Sequence, residues 1–176
     1  MDLESVIVNF ATGGVTPLVK LIFALAMIGG TIGVIAFLLR AKKVAKHSTD
    51  SSNMGRIFIG LLISACLIFL ENFMNSGAHT LGYGDVTFGS VSYASSGTFG
   101  LGATTVNAIL TILRVVGAYM FYKGVKDLKN SQLEGHTELS ASGTVGKAWV
   151  KLICGLLLMF NPEVLDGLQT SLGISW

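Results

Sequence analysis

Charged residues are scarce in this sequence. Asp, Glu, Lys and Arg make up 12% of its 176 residues, and hydrophobic residues make up 51%. A soluble domain carries about 25% charged residues, so this composition excludes an ordinary water-covered surface and favours a small polytopic membrane protein. The formal net charge of +2 is too small to indicate direct nucleic-acid binding.

Residues that could hold a metal or perform catalysis are also few and scattered. Cys66 and Cys154 both lie in apolar stretches with no His or Cys at ligand spacing, and His47, His79 and His136 lie far apart in polar stretches. The sequence contains no P-loop, nucleophile elbow or H-E-x-x-H motif. We therefore expect no enzyme activity, no cofactor and no metal site.

The N-terminus lacks the basic start of a secretory signal. It begins M-D-L-E-S, which is acidic, and its first long apolar stretch comes late. We therefore expect the first apolar segment to be retained.

Apolar stretches of membrane-spanning length alternate with polar connections. About 20 residues are needed to cross a hydrocarbon core of roughly 30 Å. The pattern predicts an all-α polytopic membrane protein in a single domain with four membrane helices at 18–39, 57–74, 104–122 and 148–172, the last interrupted at Asn161-Pro162. The remaining segments are predicted as an extracytoplasmic N-terminal segment (1–17), a basic cytoplasmic loop (40–56), a Gly/Ser-rich extracytoplasmic loop (75–103) and a second cytoplasmic loop (123–147).

The distribution of basic residues predicts the orientation of these segments. Nine of the 12 Lys and Arg residues lie in the two predicted cytoplasmic loops, and 75–103 contains none. Lys and Arg near the ends of spans resist translocation and stay cytoplasmic. Both termini are therefore predicted to be extracytoplasmic. The residues expected to set this topology are Arg40, Lys42, Lys43, Lys46 and Arg56.

Arg114 lies within the predicted third span, where an unpaired charge costs several kcal/mol. Glu71, near the end of the second span, is predicted to lie within about 7 Å of it along the membrane normal. We therefore hypothesise an Arg114–Glu71 pair, formed within one subunit or across subunits. In the first span, Gly29 and Gly33 form a G-x-x-x-G motif that favours close packing with another helix.

The stretch Thr80-Leu-Gly-Tyr-Gly-Asp85 is similar to the T-V-G-Y-G-D filter of potassium channels, in which carbonyl oxygens replace the water around the ion. The stretch that precedes it, Asn75-Ser-Gly-Ala-His, is not typical of a pore helix. The sequence leaves two interpretations open, an ion-conducting loop and a Gly/Tyr turn in an exposed connection.

Four stretches together resemble a known family. They are Val8-Asn-Phe with Pro17-Leu-Val, the loop from Gly82 to Tyr93, the run Val115-Val-Gly-Ala-Tyr-Met-Phe-Tyr-Lys-Gly-Val, and the tail from Leu152-Ile-Cys-Gly-Leu-Leu to Leu172-Gly-Ile. They resemble the small inner-membrane proteins of type IVB secretion and IncI-type conjugation, the IcmC/DotE, IcmD/DotP and DotV group and the TraQ-like proteins.

This resemblance implies a non-enzymatic structural subunit in the bacterial inner membrane. Its implied partners are the lipid bilayer and other membrane subunits of a secretion or conjugation complex, and an oligomer is expected. Two alternatives remain. One is a pilin-like subunit of a conjugative filament, although such pilins usually have two spans. The other is a pore-forming protein, either potassium-channel-like or a holin.

Overall fold

The computed structural model describes residues 3–47, 51–133 and 138–173, and these residues are almost entirely helical. No strand occurs within those ranges, so the predicted all-α class is confirmed. The helices are α1 (Leu3–Asn9), α2 (Val15–His47), α3 (Ser51–Ile68), α4 (Leu70–Thr80), α5 (Ser96–Phe99), α6 (Ala103–Leu133), α7 (Glu138–Met159) and α8 (Asn161–Leu172). A π-helical turn, Phe10–Gly14, joins α1 to α2, and a 3-10 turn, Gly100–Gly102, precedes α6.

Two helical stretches are long and apolar enough to cross a membrane on their own, Leu3–Lys46 and Gly100–Gln132. Up to four spans result if each of two bent helix pairs counts as one. In the first of these stretches residues 3–17 are helical and continuous with the predicted span at 18–39, and the assignment of 1–17 to an extracytoplasmic segment stays a prediction. Pro17 lies in the first turn of α2, where its missing N–H is tolerated, and the π-helical turn lies just before α2.

The second and fourth predicted segments are bent rather than straight. The chain turns by 96° between α3 and α4 at Phe69, and by 83° between α7 and α8 at Phe160. We call these bends the first elbow and the second elbow. The second elbow lies beside Asn161-Pro162, where the sequence predicts an interruption, and Pro162 occupies the first turn of α8. The first elbow has no proline, and the prediction of one helix over 57–74 did not include it.

The two elbows are copies of one arrangement. In each case a long helix, α2 with 33 residues or α6 with 31, precedes the bent pair. A single phenylalanine, Phe69 or Phe160, lies at the bend. The second helix of each pair is followed by a glycine with positive φ, Gly82 or Gly173, 13 residues after that phenylalanine. The bend phenylalanines and the end glycines are both 91 residues apart in sequence. At the same separation the chain has identical residues at Gly55 and Gly146, Leu61 and Leu152, Leu67 and Leu158, and Leu81 and Leu172.

Glycines let the long helices approach the elbows closely. A Cβ on Gly30 of α2 would lie 2.8 Å from the carbonyl oxygen of Ser64 and 2.9 Å from the nitrogen of Ile68. On α6, a Cβ on Gly117 would lie 2.7 Å from the carbonyl oxygen of Gly155 and 2.8 Å from the nitrogen of Met159. Gly155 and Met159 follow Ser64 and Ile68 by the same 91 residues, so the two close contacts correspond atom for atom.

The chain divides into two compact units. Unit 1 contains Met1–Ile22, Met74–Tyr119 and Cys154–Trp176, and unit 2 contains Phe23–Phe73 and Met120–Ile153. Ten of the 12 Lys and Arg residues belong to unit 2 and two belong to unit 1, whereas the acidic residues divide equally. Positive charge is therefore concentrated in one unit.

Within unit 2 the ends of α2 and α6 that carry the predicted basic loops lie together. The Arg40 guanidinium donates to the carbonyl of Gln132 over 3.3 Å, and the ammonium group of Lys151 pairs with the Asp127 carboxylate. Both predicted cytoplasmic connections thus leave the described part of unit 2 from neighbouring helix ends.

Candidate functional site

The buried charge of α6 is bound by main-chain oxygens. Arg114 is 8% exposed. Its Nε donates to the carbonyl of Met159 over 3.0 Å, and its Nη1 donates to the carbonyl and the hydroxyl of Thr87 over 2.8 and 3.3 Å. Met159 is the last residue of α7, where carbonyls lack intrahelical partners and attract cations. Arg114 therefore caps the C-terminus of α7 at the second elbow.

A second side chain fastens the same elbow to α6. Asn161, the first residue of α8, is 7% exposed, and its Nδ2 donates to the carbonyl of Leu110 over 2.8 Å. Its Oδ1 is buried without a hydrogen-bond partner. Together with the close contact at Gly117, these bonds hold α7 and α8 against α6 at the point where the helix breaks. A break in a membrane helix is tolerated where neighbouring groups satisfy the freed backbone.

One face of α6 binds the irregular segment 81–95. Asn107, Thr111 and Arg114 recur at helical spacing on that face. The Asn107 amide accepts from the nitrogens of Tyr93 and Ala94 over 3.0 and 2.7 Å, and Nδ2 donates back to the carbonyl of Ala94. The Thr111 hydroxyl accepts from the nitrogen of Val91 over 2.9 Å. This polar face replaces the hydrogen bonds that a neighbouring strand would otherwise supply.

The filter-like stretch Thr80–Asp85 ends helix α4. Gly82 has φ of +83°, and the nitrogens of Gly82 and Tyr83 donate to the carbonyls of His79 and Ala78 over 3.1 and 3.0 Å. This pattern is a Schellman cap, for which glycine is the favoured residue. The Tyr83 ring stacks on Phe160 with centroids 4.8 Å apart. In this chain the stretch therefore ends a helix and packs on the second elbow, which favours the interpretation as a turn.

A second buried cation lies in unit 2. Lys129 of α6 is 7% exposed, and its ammonium group donates to the carbonyl of Gly29 over 3.0 Å. A Cβ on Gly33 would lie 2.9 Å from Cδ of this lysine, whereas a Cβ on Gly29 would meet nothing within 4 Å. Gly33 of the G-x-x-x-G motif thus leaves room for the Lys129 stem and for Ser64 of α3, whose Oγ would lie 2.6 Å from the same Cβ, and Gly29 supplies the acceptor.

The other residues singled out from the sequence lie as follows. Glu71 is exposed in the first turn of α4. The Arg114–Glu71 pair stays a prediction, because the two residues belong to different units and Arg114 has the partners described above. Arg40 is half-buried at the end of α2, and the other topology-setting residues, Lys42, Lys43, Lys46 and Arg56, are exposed. His136 lies outside the described residues.

Sequence reasoning missed Thr87, Asn107, Thr111 and Asn161 as members of this site. A signal for two of them was present, because Asn107, Thr111 and Arg114 form a polar row at i, i+4 and i+7 in an otherwise apolar helix. Thr87 carries no such signal, since it acts mainly through its main-chain carbonyl.

The arrangement defines a helical membrane protein whose buried polar groups bind its own backbone. Among the described residues, no three His, Cys, Asp or Glu side chains are grouped so that they could hold a metal ion. Comparison of the chain with protein-family models, with curated proteins and with solved structures finds no match.

Proposed function

We propose that this protein is a non-enzymatic structural subunit of a type IVB secretion or conjugative DNA-transfer apparatus in the bacterial inner membrane. The observation that carries the proposal is the use made of Arg114. A cation buried in an apolar helix typically serves transport or catalysis, but this one is bound to the carbonyls of Met159 and Thr87 and holds a bent helix in place. Its role is architectural.

The charge distribution supports a multi-pass orientation with both basic connections cytoplasmic. Nine of the 12 basic residues lie in the two predicted cytoplasmic connections, 75–103 contains none, and four spans are proposed. Both termini would then be extracytoplasmic. The assignment to a secretion or conjugation apparatus rests on the resemblance to small subunits of such machines. The lipid bilayer and other membrane subunits are the proposed partners.

Deletion of the gene tests this function. Plasmid transfer or effector export is scored in the deletion strain and after complementation with the wild-type chain or with Arg114→Leu. We expect transfer to be lost on deletion, restored by the wild type and poorly restored by Arg114→Leu. Lys147→Leu, which removes an exposed cation, should restore it. Unchanged transfer in the deletion strain would reject the proposal.

Two further measurements separate the alternatives. Potassium-selective flux through liposomes that contain the purified protein would favour a pore. Recovery of the chain in sheared extracellular filaments would favour a pilin. For the proposed structural subunit we expect neither, with the chain retained in the inner-membrane fraction.

A further inference from the structure

The correspondence between the two elbows extends to the residues of α2 and α6 that lie against them. Gly30 and Gly117 make matching contacts with the helix that ends at each elbow, so residues at equal distances from these glycines occupy matching positions. Arg114 lies three residues before Gly117, and Met27 lies three residues before Gly30. Met159, which accepts the hydrogen bond from Arg114, matches Ile68 at the end of α3.

At the first elbow the space that corresponds to the arginine is open. A cavity of about 270 Å³ lies there within unit 2, and its lining includes both matching residues, Met27 and Ile68. The rest of the lining is mainly apolar, with Phe23, Ala24 and Phe69, and the carboxylate-bearing residue Glu71 also contributes. The second elbow is thus filled by a guanidinium side chain of its own chain, while the first presents a cavity.

The chemistry of this cavity fits a cation on an apolar stem. The end of α3 carries the negative end of a helix dipole, as the end of α7 does where Arg114 binds. Glu71 adds a negative charge; at the second elbow Pro162 stands at the matching position, and the next residue, Glu163, supplies a carboxylate that attracts Arg114. An arginine side chain offers several donors on a short aliphatic stem, which suits apolar walls with oxygen acceptors at one end.

We propose that the first elbow is a docking site for an arginine side chain of a partner membrane protein, bound between the end of α3 and the carboxylate of Glu71. The occupant is inferred from the second elbow, where the matching space holds a guanidinium group, and from the charge of Glu71. The inference deepens the proposed function, on which it rests for the existence of a membrane partner, by naming the chemistry through which that partner is held.

Butylguanidinium is a direct probe of the cavity. It is titrated into the purified full chain in phosphatidylcholine nanodiscs, with the ¹³C-methyl NMR signal of Met27 as the readout, assigned with Met27→Leu. We expect a saturable shift of this signal. Because an ion pair at an exposed carboxylate contributes up to about 1 kcal/mol, Glu71→Gln should weaken binding by up to about fivefold. Asp166→Asn, which removes an exposed carboxylate on α8, should leave it unchanged.

A pair of arginine substitutions tests the same cavity without a ligand. Met27 and Ile28 are adjacent on α2 and 57% and 56% exposed, so an arginine at either has nearly the same depth and freedom. Met27→Arg should keep the thermal midpoint of the wild type and abolish the response to butylguanidinium in the ¹³C-methyl signal of Ile68, which also lines the cavity. Ile28 does not line the cavity. Ile28→Arg should therefore lower the thermal midpoint and retain the response to butylguanidinium.

Defined outcomes would overturn the proposal. The site is not a guanidinium site if the Met27 signal of the wild type does not respond to butylguanidinium, or if Glu71→Gln and Asp166→Asn bind it equally well. If adding phosphatidylethanolamine to the nanodiscs shifts the signal and butylguanidinium does not reverse that shift, the occupant is a lipid amine instead. These binding measurements use the purified chain, so they can fail while plasmid transfer still depends on the gene, and the reverse also holds.

Discussion

At the scale of the residue, the buried cations of α6 show how this chain accommodates charge in an apolar setting. The sequence predicts that Arg114 needs a partner, and an acidic residue is the natural candidate. The structure supplies carbonyl oxygens of Met159 and Thr87. Lys129 follows the same principle with the carbonyl of Gly29. Main-chain acceptors cannot be predicted from residue types, because every residue carries a main-chain carbonyl.

Arg114→Leu is expected to destabilise the protein. It removes three hydrogen bonds and leaves the carbonyls of Met159 and Thr87 without this donor, and each buried acceptor left unsatisfied costs about 1–3 kcal/mol. Unfolding in detergent, followed by circular dichroism, should show a lower thermal midpoint.

Arg114→Lys and Lys147→Leu serve as comparisons for that prediction. A single ammonium group cannot span two acceptors in the way that a guanidinium does, so Arg114→Lys should fall between the wild type and Arg114→Leu. Lys147→Leu, at an exposed position, should unfold like the wild type. If Arg114→Leu proved as stable as the wild type, the capping role would be wrong.

At the scale of the element, the adjacent glycines of α2 differ sharply in the space that a Cβ would find. Gly30→Ala should destabilise the protein by about 1–3 kcal/mol, because its Cβ would meet backbone atoms of α3. Gly117→Ala should do the same at α7. Gly29→Ala has open space and should be neutral or stabilising, since alanine favours helix by up to about 1 kcal/mol.

Urea unfolding of the three alanine variants in mixed micelles measures these differences. The order of stability should be Gly29→Ala first, with the other two well below it. Equal effects at all three positions would mean that the close approach of α2 and α6 to the elbow helices is not as described.

The cap at the end of α4 provides a separate test. Gly82 has positive φ, which costs a residue with a side chain roughly 1–2 kcal/mol. Gly82→Ala should therefore lower the free energy of unfolding by about that amount. Gly84→Ala, two residues on and without positive φ or nearby atoms, should have a smaller effect. Comparable losses in both variants would contradict the Schellman cap.

At the scale of the whole molecule, the prediction concerns sidedness. Lys43→Cys lies at the basic end of α2 in unit 2, and Ser90→Cys lies in the lysine-free segment of unit 1. In a background with Cys66→Ala and Cys154→Ala, a membrane-impermeant maleimide should label Ser90→Cys on spheroplasts, while Lys43→Cys reacts only after permeabilisation. Labelling of both from the same compartment would overturn the orientation.

The helical class and the apolar segments follow from the amino-acid sequence alone, which also predicts their orientation. These properties depend on composition, periodicity and the energetic cost of moving charge through lipid, all of which are local or additive. The predicted interruption at Asn161-Pro162 lies beside the second elbow, since a proline inside a helix removes a backbone donor and favours a break or a helix start.

The first elbow, the roles of the glycines and the partners of the buried cations depend on the three-dimensional packing of the helices. Phe69 carries no helix-breaking signal. Gly29 and Gly30 are the same residue type at adjacent positions, yet a Cβ on Gly29 would meet open space and a Cβ on Gly30 would meet α3. Arg114 binds carbonyls 27 and 45 residues away. Such choices depend on which backbone atoms packing brings within about 3 Å, and a linear pattern does not encode that distance.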